Sequence, residues 1–145
     1  MADFSTATIT VDAPLSQVSE TLFDIESYPT WSTSIKAASV VSRDDQGRVL
    51  QAKMTIDAGM MKDHVILDYD WASAPGKLTF SLNDADLLTA MDGAYVIKAI
   101  DADTTQVTYE LSVAVSMPIP AMMRTKAEKT VIDQALAQLK AHLEG

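Results

Sequence analysis

The 145-residue chain contains no cysteine, which removes disulfides and thiolate metal sites and fits a cytoplasmic address. It has only two histidines. His64 and His142 lie far apart with no partner at a recognised ligand spacing, so no metal site is expected, and no cofactor is implied. No apolar run approaches the roughly 20 residues that a membrane-crossing helix needs, so membrane insertion is not expected. Residues 1–6 offer no basic region followed by an apolar stretch, and no secretory leader is expected. Glycine-rich phosphate loops and nucleophile elbows are absent. Basic residues are few: 11 Lys and Arg against 20 Asp and Glu give a net charge of −9. A diffuse negative field repels phosphate, which disfavours nucleic acid and anionic membrane surfaces as partners.

What is present is an ordinary globular composition, 48% hydrophobic and 21% charged, with no repeat or linker. That predicts one domain, residues 1–145, large enough for a substantial core. Thr6 to Val11 alternates three threonines against Ala7, Ile9 and Val11, the period of a half-buried strand. Pro14 then suits the first turn of a helix, where its missing N–H has no partner anyway. Leu15, Val18 and Leu22 supply the buried stripe of that helix. Pro29, flanked by Tyr28 and Trp31, predicts the start of a second short helix.

From Ile35 to Met117 strands alternate with turn chemistry at residues 43–47, 57–61, 73–76, 83–86 and 101–105. Connections this short require antiparallel neighbours. Alternation puts Leu50, Ala52, Met54 and Ile56 inward on one strand and Val65, Leu67, Tyr69 and Trp71 on the next. It then puts Leu78, Phe80 and Leu82 inward, followed by Tyr95, Ile97 and Ala99 on a strand over 93–100. Val107, Tyr109, Leu111, Val113 and Val115 close the series. The same alternation sends His64 outward with Asp68 and Asp70, which reads as a solvated histidine. One apolar sheet face needs a cover. Residues 121–143, free of Gly and Pro, supply a helix of about 35 Å, with Ile132, Leu136, Leu139 and Leu143 as its stripe. Its first half carries Met122, Met123, Arg124, Lys126 and Lys129 instead.

The Val11-Asp-Ala-Pro14 segment, Asp24-Ile-Glu-Ser-Tyr-Pro-Thr-Trp31 and the Thr108–Val113 strand resemble the START-like superfamily along the whole chain. In particular they are similar to bacterial polyketide cyclase/dehydrase and lipid-transport proteins. The resemblance implies an α+β helix-grip fold: a seven-stranded curved antiparallel sheet wrapped around a long C-terminal helix, with two short helices between strands 1 and 2. It also implies a deep cavity between sheet and helix that binds or transports a hydrophobic small molecule such as a lipid, quinone or polyketide-like compound. The expected lining is Met54, Ile56, Leu67, Tyr69, Trp71, Phe80, Tyr95, Ile97, Tyr109 and Leu111. Met122, Met123 and Lys126 are expected at the mouth, and Met60-Met61 likewise. Flexible methionines there suit varied apolar ligands or simply fill gaps. Tyr28 and Trp31 read as scaffold, and the inward aromatics as the walls of either a hollow or a solid core.

Two other readings stay open. Inward Tyr69, Tyr95 and Tyr109 with Arg124 suit a polyketide aromatase/cyclase or dehydratase, although no motif assigns catalytic residues. An acidic outer face of Asp57, Asp68, Asp70 and Glu110 suits a protein-interaction module with an unidentified protein partner.

Overall fold

A computed structural model describes residues 4–59 and 62–145; Met60 and Met61, expected at the cavity mouth, lie outside the described residues. Strand β1 (Ser5–Val11) leads into helix α1 (Leu15–Phe23) and a 3₁₀ helix (Ile25–Thr30). Six strands follow: β2 (Ile35–Arg43), β3 (Val49–Asp57), β4 (Lys62–Asp70), β5 (Lys77–Ala85), β6 (Leu88–Asp101) and β7 (Thr104–Val115). Helix α2 (Ala121–Glu144) ends the chain. All neighbours are antiparallel in the order β1-β7-β6-β5-β4-β3-β2. The seven-stranded sheet, the covering C-terminal helix and the short helices after β1 are the helix-grip arrangement that the sequence predicts.

The core lies between the inner sheet face and α2. Val131, Ile132, Ala135, Leu136 and Leu139 of α2 are buried there with Val107, Leu111 and Leu67 from the strands. Helix α2 is tied down at both ends. At its third turn the buried Glu128 accepts the Ser5 hydroxyl and the Val113 amide, both at 2.7 Å. Near its C-terminus the Lys140 ammonium donates to the Thr10 carbonyl at 2.8 Å, and Glu144 accepts the Asp12 amide at 2.9 Å.

Several local expectations need correction. Pro29 sits inside the 3₁₀ helix, not at its start; so short a turn loses little by lacking one N–H. Leu50 is exposed and Val49 buried, because the β2–β3 register steps from Ser42↔Gln51 to Arg43↔Val49 and leaves Leu50 in a bulge. Strand β6 begins at Leu88 instead of residue 93, and Ala99 faces solvent beyond its inward run. The turn expected at 83–86 falls at Asp86-Leu87 instead. The Asp63 carboxylate fixes it there by accepting the amides of Asp86 (3.1 Å), Leu87 (3.0 Å) and Leu88 (2.8 Å), along with that of His64 (2.8 Å). His64 is outward as predicted, its Nδ1 at 3.3 Å from Asp86 Oδ2.

Candidate functional site

All four tyrosines of the chain, Tyr28, Tyr69, Tyr95 and Tyr109, meet at one internal cavity between sheet and α2. Strand alternation delivers three of them to the inner face. The 3₁₀ helix carries the fourth, whose hydroxyl donates to the Leu22 carbonyl at 2.5 Å. The Tyr95 and Tyr109 rings stack with centroids 4.3 Å apart at 22°. Phe80 bridges the group, 6.0 Å from Tyr69 and 6.4 Å from Tyr109. That ring has room because Gly93 lies opposite it in the β5–β6 register. A side chain at 93 would overlap Phe80 and the Glu110 carbonyl.

Methionines, aliphatic groups and two serines complete the wall. Met54, Ile56 and Leu67 come from β3 and β4, Met91 from β6, and Val131 and Ala135 from α2. Ser32, Ser34 and Ile35 come from the segment before and into β2. Glutamines of α2 hold that segment. Gln138 accepts the Thr33 amide at 2.9 Å and donates to its hydroxyl at 2.6 Å, while Gln134 accepts the Ser34 hydroxyl at 3.0 Å.

Among the described residues, no charged side chain lines this cavity. Burial raises all four phenols well above their ordinary value, so they stay neutral at any physiological pH. Neutral phenols act as hydrogen-bond donors to an oxygen acceptor and not as bases; the Tyr28 donor is taken by the Leu22 carbonyl, which leaves those of the strand tyrosines. The cavity is small, about 40 Å³ of space open to the centre of a water molecule. At roughly 10–15 Å³ per water on this measure, it has room for about three.

Of the sequence-predicted candidates, the structure brings Met54, Ile56, Leu67, Tyr69, Phe80, Tyr95 and Tyr109 to this cavity. It places the others elsewhere. Trp71 closes the opposite end of the sheet, its indole N–H donating to the Val49 carbonyl at 2.6 Å. Phe23 meets it edge-on at 5.1 Å and the Arg48 guanidinium lies 5.8 Å over the ring. Ile97 and Leu111 sit in the packed core, while Met122, Met123 and Lys126 face outward. Arg124 is outside the cavity wall.

Tyr28, Ser32, Ser34, Ile35, Met91, Val131 and Ala135 line the cavity without being singled out from the sequence as cavity residues. For Met91 the signal was available, since it continues the inward alternation of Gly93, Tyr95 and Ile97. Val131 and Ala135, one helical turn apart, only flank the Ile132 and Leu136 stripe of α2 and carried no signal of their own. Among the described residues, no three His, Cys, Asp or Glu side chains are placed to hold a metal ion. No described helix is long and apolar enough to cross a membrane.

Comparison with known proteins places these features in a family. Residues 11–140 match the sequence profile described as polyketide cyclase / dehydrase and lipid transport. A START superfamily protein from Mycobacterium smegmatis superposes with a TM-score of 0.92 at 22% identity, covering 97% of each chain. The Zhui aromatase/cyclase from Streptomyces sp. R1128 does so at 0.78 and 15% identity, over 99% of this chain and 94% of that one. The di-domain ARO/CYC BexL of the BE-7585A biosynthetic pathway gives 0.79 at 17%, covering 98% of this chain and 46% of its own. At these identities the structural matches speak for the shared fold. No functionally curated protein matches the chain.

Proposed function

The chain belongs to the polyketide cyclase/dehydrase and lipid transport family, and from that premise we propose that it binds an uncharged hydrophobic small molecule bearing an oxygen acceptor. Quinones, polyketide-like ketones and neutral lipids fit that description. The observation that carries this reading is the cavity itself: four neutral phenols in an apolar wall with no charged group among the described residues. A few oriented polar groups in an apolar cavity are what such ligands need. A fatty-acid carboxylate would be buried there without a cation, at a cost of several kcal/mol. A ligand larger than about three waters enters by displacing wall atoms. Met54 and Met91 are the adaptable side chains, and the segment 32–34 is a part of the wall that lies in neither a strand nor a helix.

A thermal-shift panel tests this. A neutral acceptor-bearing ligand at 100 times its Kd adds about 2.7 kcal/mol of stability, or roughly 5–10 °C in a chain of this size. Tyr109→Phe then weakens that ligand about three- to tenfold, the worth of one hydrogen bond. Stabilisation by fatty acids but not by neutral ketones or quinones sinks the proposal, as does native mass spectrometry that retains no ligand from the panel.

Aromatase/cyclase or dehydratase chemistry is the second reading, supported by the family description and by phenols able to donate to a carbonyl oxygen as it gains charge. Against it stands the lack of an ionised acid or base among the described residues of the wall. Single Tyr69→Phe, Tyr109→Phe and Arg124→Ala variants that leave product distribution unchanged in a reconstituted polyketide assay would eliminate it.

A further inference from the structure

Nine large hydrophobic side chains are exposed among the described residues, and six of them gather at one end of the molecule. Met117, Ile119, Met122 and Met123 lie within seven residues where β7 passes into α2, and Met122 is 81% exposed. Phe4 precedes Ser5, which Glu128 bonds directly to α2. Leu87 precedes Leu88, whose register partner is Val115, so it too belongs to this end. Contiguous exposed apolar surface of this kind marks an interaction site.

The solvent-facing charges within Met117 to Lys129 are of one sign. Arg124, Lys126 and Lys129 follow the two methionines within the first three turns of α2, and none forms an ion pair among the described residues. The acid of that stretch, Glu128, is buried against Ser5 and Val113. The exposed acids next to it are Asp133, one helical turn beyond Lys129 on α2, and Asp86, whose carboxylate faces His64. The net charge of −9 therefore resides elsewhere on the surface. At physiological salt fields fade over about 8 Å, so local cations outweigh distant carboxylates.

We propose that this end, Met117 to Lys129 with Phe4 and Leu87, docks on an anionic lipid surface. Apolar side chains flanked by Lys and Arg are the composition of interfacial membrane binding: methionines enter the acyl boundary while the cations meet acidic head groups. The acidic body then points away from the bilayer, which fixes orientation. Ile56 and Met91 of the cavity wall lie toward this same end, being paired with Asp63 and Val113. A docked molecule thus presents the cavity to the lipid. The inference concerns a different surface from the cavity and stands without any ligand in it.

Vesicle co-sedimentation of the full chain tests it, using phosphatidylglycerol/phosphatidylcholine mixtures against phosphatidylcholine alone at low and high salt. Binding to the anionic vesicles that fades in salt is expected. Lys126→Glu with Lys129→Glu should weaken it by about thirtyfold or more, and Met122→Ser with Met123→Ser should weaken it at unchanged salt dependence. All four positions are exposed in whole or large part, so folding is preserved. Leu50→Ser, at the opposite end of β3 from Ile56, should bind as the parent does. The proposal is overturned by equal binding to both vesicle types, by no binding at low salt, or by indifference to the substitutions. A concentration-dependent dimer that Met122→Ser abolishes, with no vesicle binding, would overturn it too and assign the patch to a second copy of the chain.

Discussion

Gly93 faces the ring of Phe80 across the β5–β6 ladder so closely that the ring occupies the place where a Cβ would stand. The same Cβ would lie 2.8 Å from the Glu110 carbonyl. The aromatic cluster around the cavity therefore depends on a residue with no side chain at all. Gly93→Ala forces Phe80 toward Tyr69 and Tyr109, and overpacking of that kind costs about 1–3 kcal/mol. The expected fall in Tm is roughly 3–9 °C. Because Glu110 is backbone and cannot yield, the double variant Gly93→Ala/Phe80→Leu should recover only part of the loss. Calorimetry of the two variants checks this, and full recovery would place the strain in the ring alone.

The four phenols make the fold sensitive to alkali. Burial raises each of them, while in the unfolded chain they titrate near 10. The folded form therefore holds more protons than the unfolded form above pH 10. The stability these tyrosines contribute is complete below pH 10 and is lost as pH rises further, by about 1.4 kcal/mol per pH unit for each phenol. Absorbance of phenolate at 295 nm should stay flat up to that point and then appear together with the loss of circular dichroism. Gradual ionisation near pH 10 in a chain that keeps its dichroism would show the phenols to be solvated.

Asp63 gives the opposite dependence. Burial alone would raise its carboxyl, but the amides of Leu88, Leu87, His64 and Asp86 outweigh burial and hold it below the ordinary carboxylate value. Its contribution is present above about pH 4, where an unfolded Asp is ionised, and fades as pH falls through the lower folded value. Asp63→Ala leaves several amides without an acceptor and should cost about 3 kcal/mol, with hydrogen exchange rising first at residues 86–88. A variant as stable as the parent would mean that water replaces the carboxylate.

The contrast between Tyr69 and Met91 shows how much of the site was legible. Tyr69 sits in a strand whose alternation runs unbroken from Val65 to Trp71, so its inward direction could be read directly. Met91 obeys the same period, yet the Asp-rich stretch 83–86 resembles a turn and hid the start of β6. The turn is displaced by Asp63, a long-range anchor 23 residues away from Asp86 that no local pattern reveals. Lys126 fails for a different reason. A helix start beside two methionines suits a cavity mouth and a surface patch equally well, and only the packing of Glu128 against Ser5 and Val113 turns that stretch outward. Tyr28 was hidden by a double role: its hydroxyl braces the Leu22 carbonyl while its ring faces the cavity.

Residues 32–34 form the one part of the cavity wall held by side-chain amides and not by a strand ladder, which sets where the wall opens most readily. Gln138 bonds both the amide and the hydroxyl of Thr33, Gln134 bonds the Ser34 hydroxyl, and the Ser34 carbonyl accepts the Asp57 amide at 2.7 Å. The glutamine bonds are exposed or half-buried, so each contributes only about 0.5–1.5 kcal/mol. Removing both glutamines as Gln134→Ala/Gln138→Ala should lower Tm by a few degrees at most. Local opening is governed by these few bonds, not by global stability. Amide exchange at Thr33 should therefore accelerate roughly tenfold or more while the exchange of core residues such as Leu111 keeps pace only with the small drop in Tm. A ligand that occupies the cavity should also associate faster with this variant, since less of the wall must be displaced. If exchange at Thr33 is unchanged, the backbone bonds Ser32–Tyr28, Ile35–Ser32 and Asp57–Ser34 hold the segment without the glutamines, and entry must proceed through the strand side of the wall.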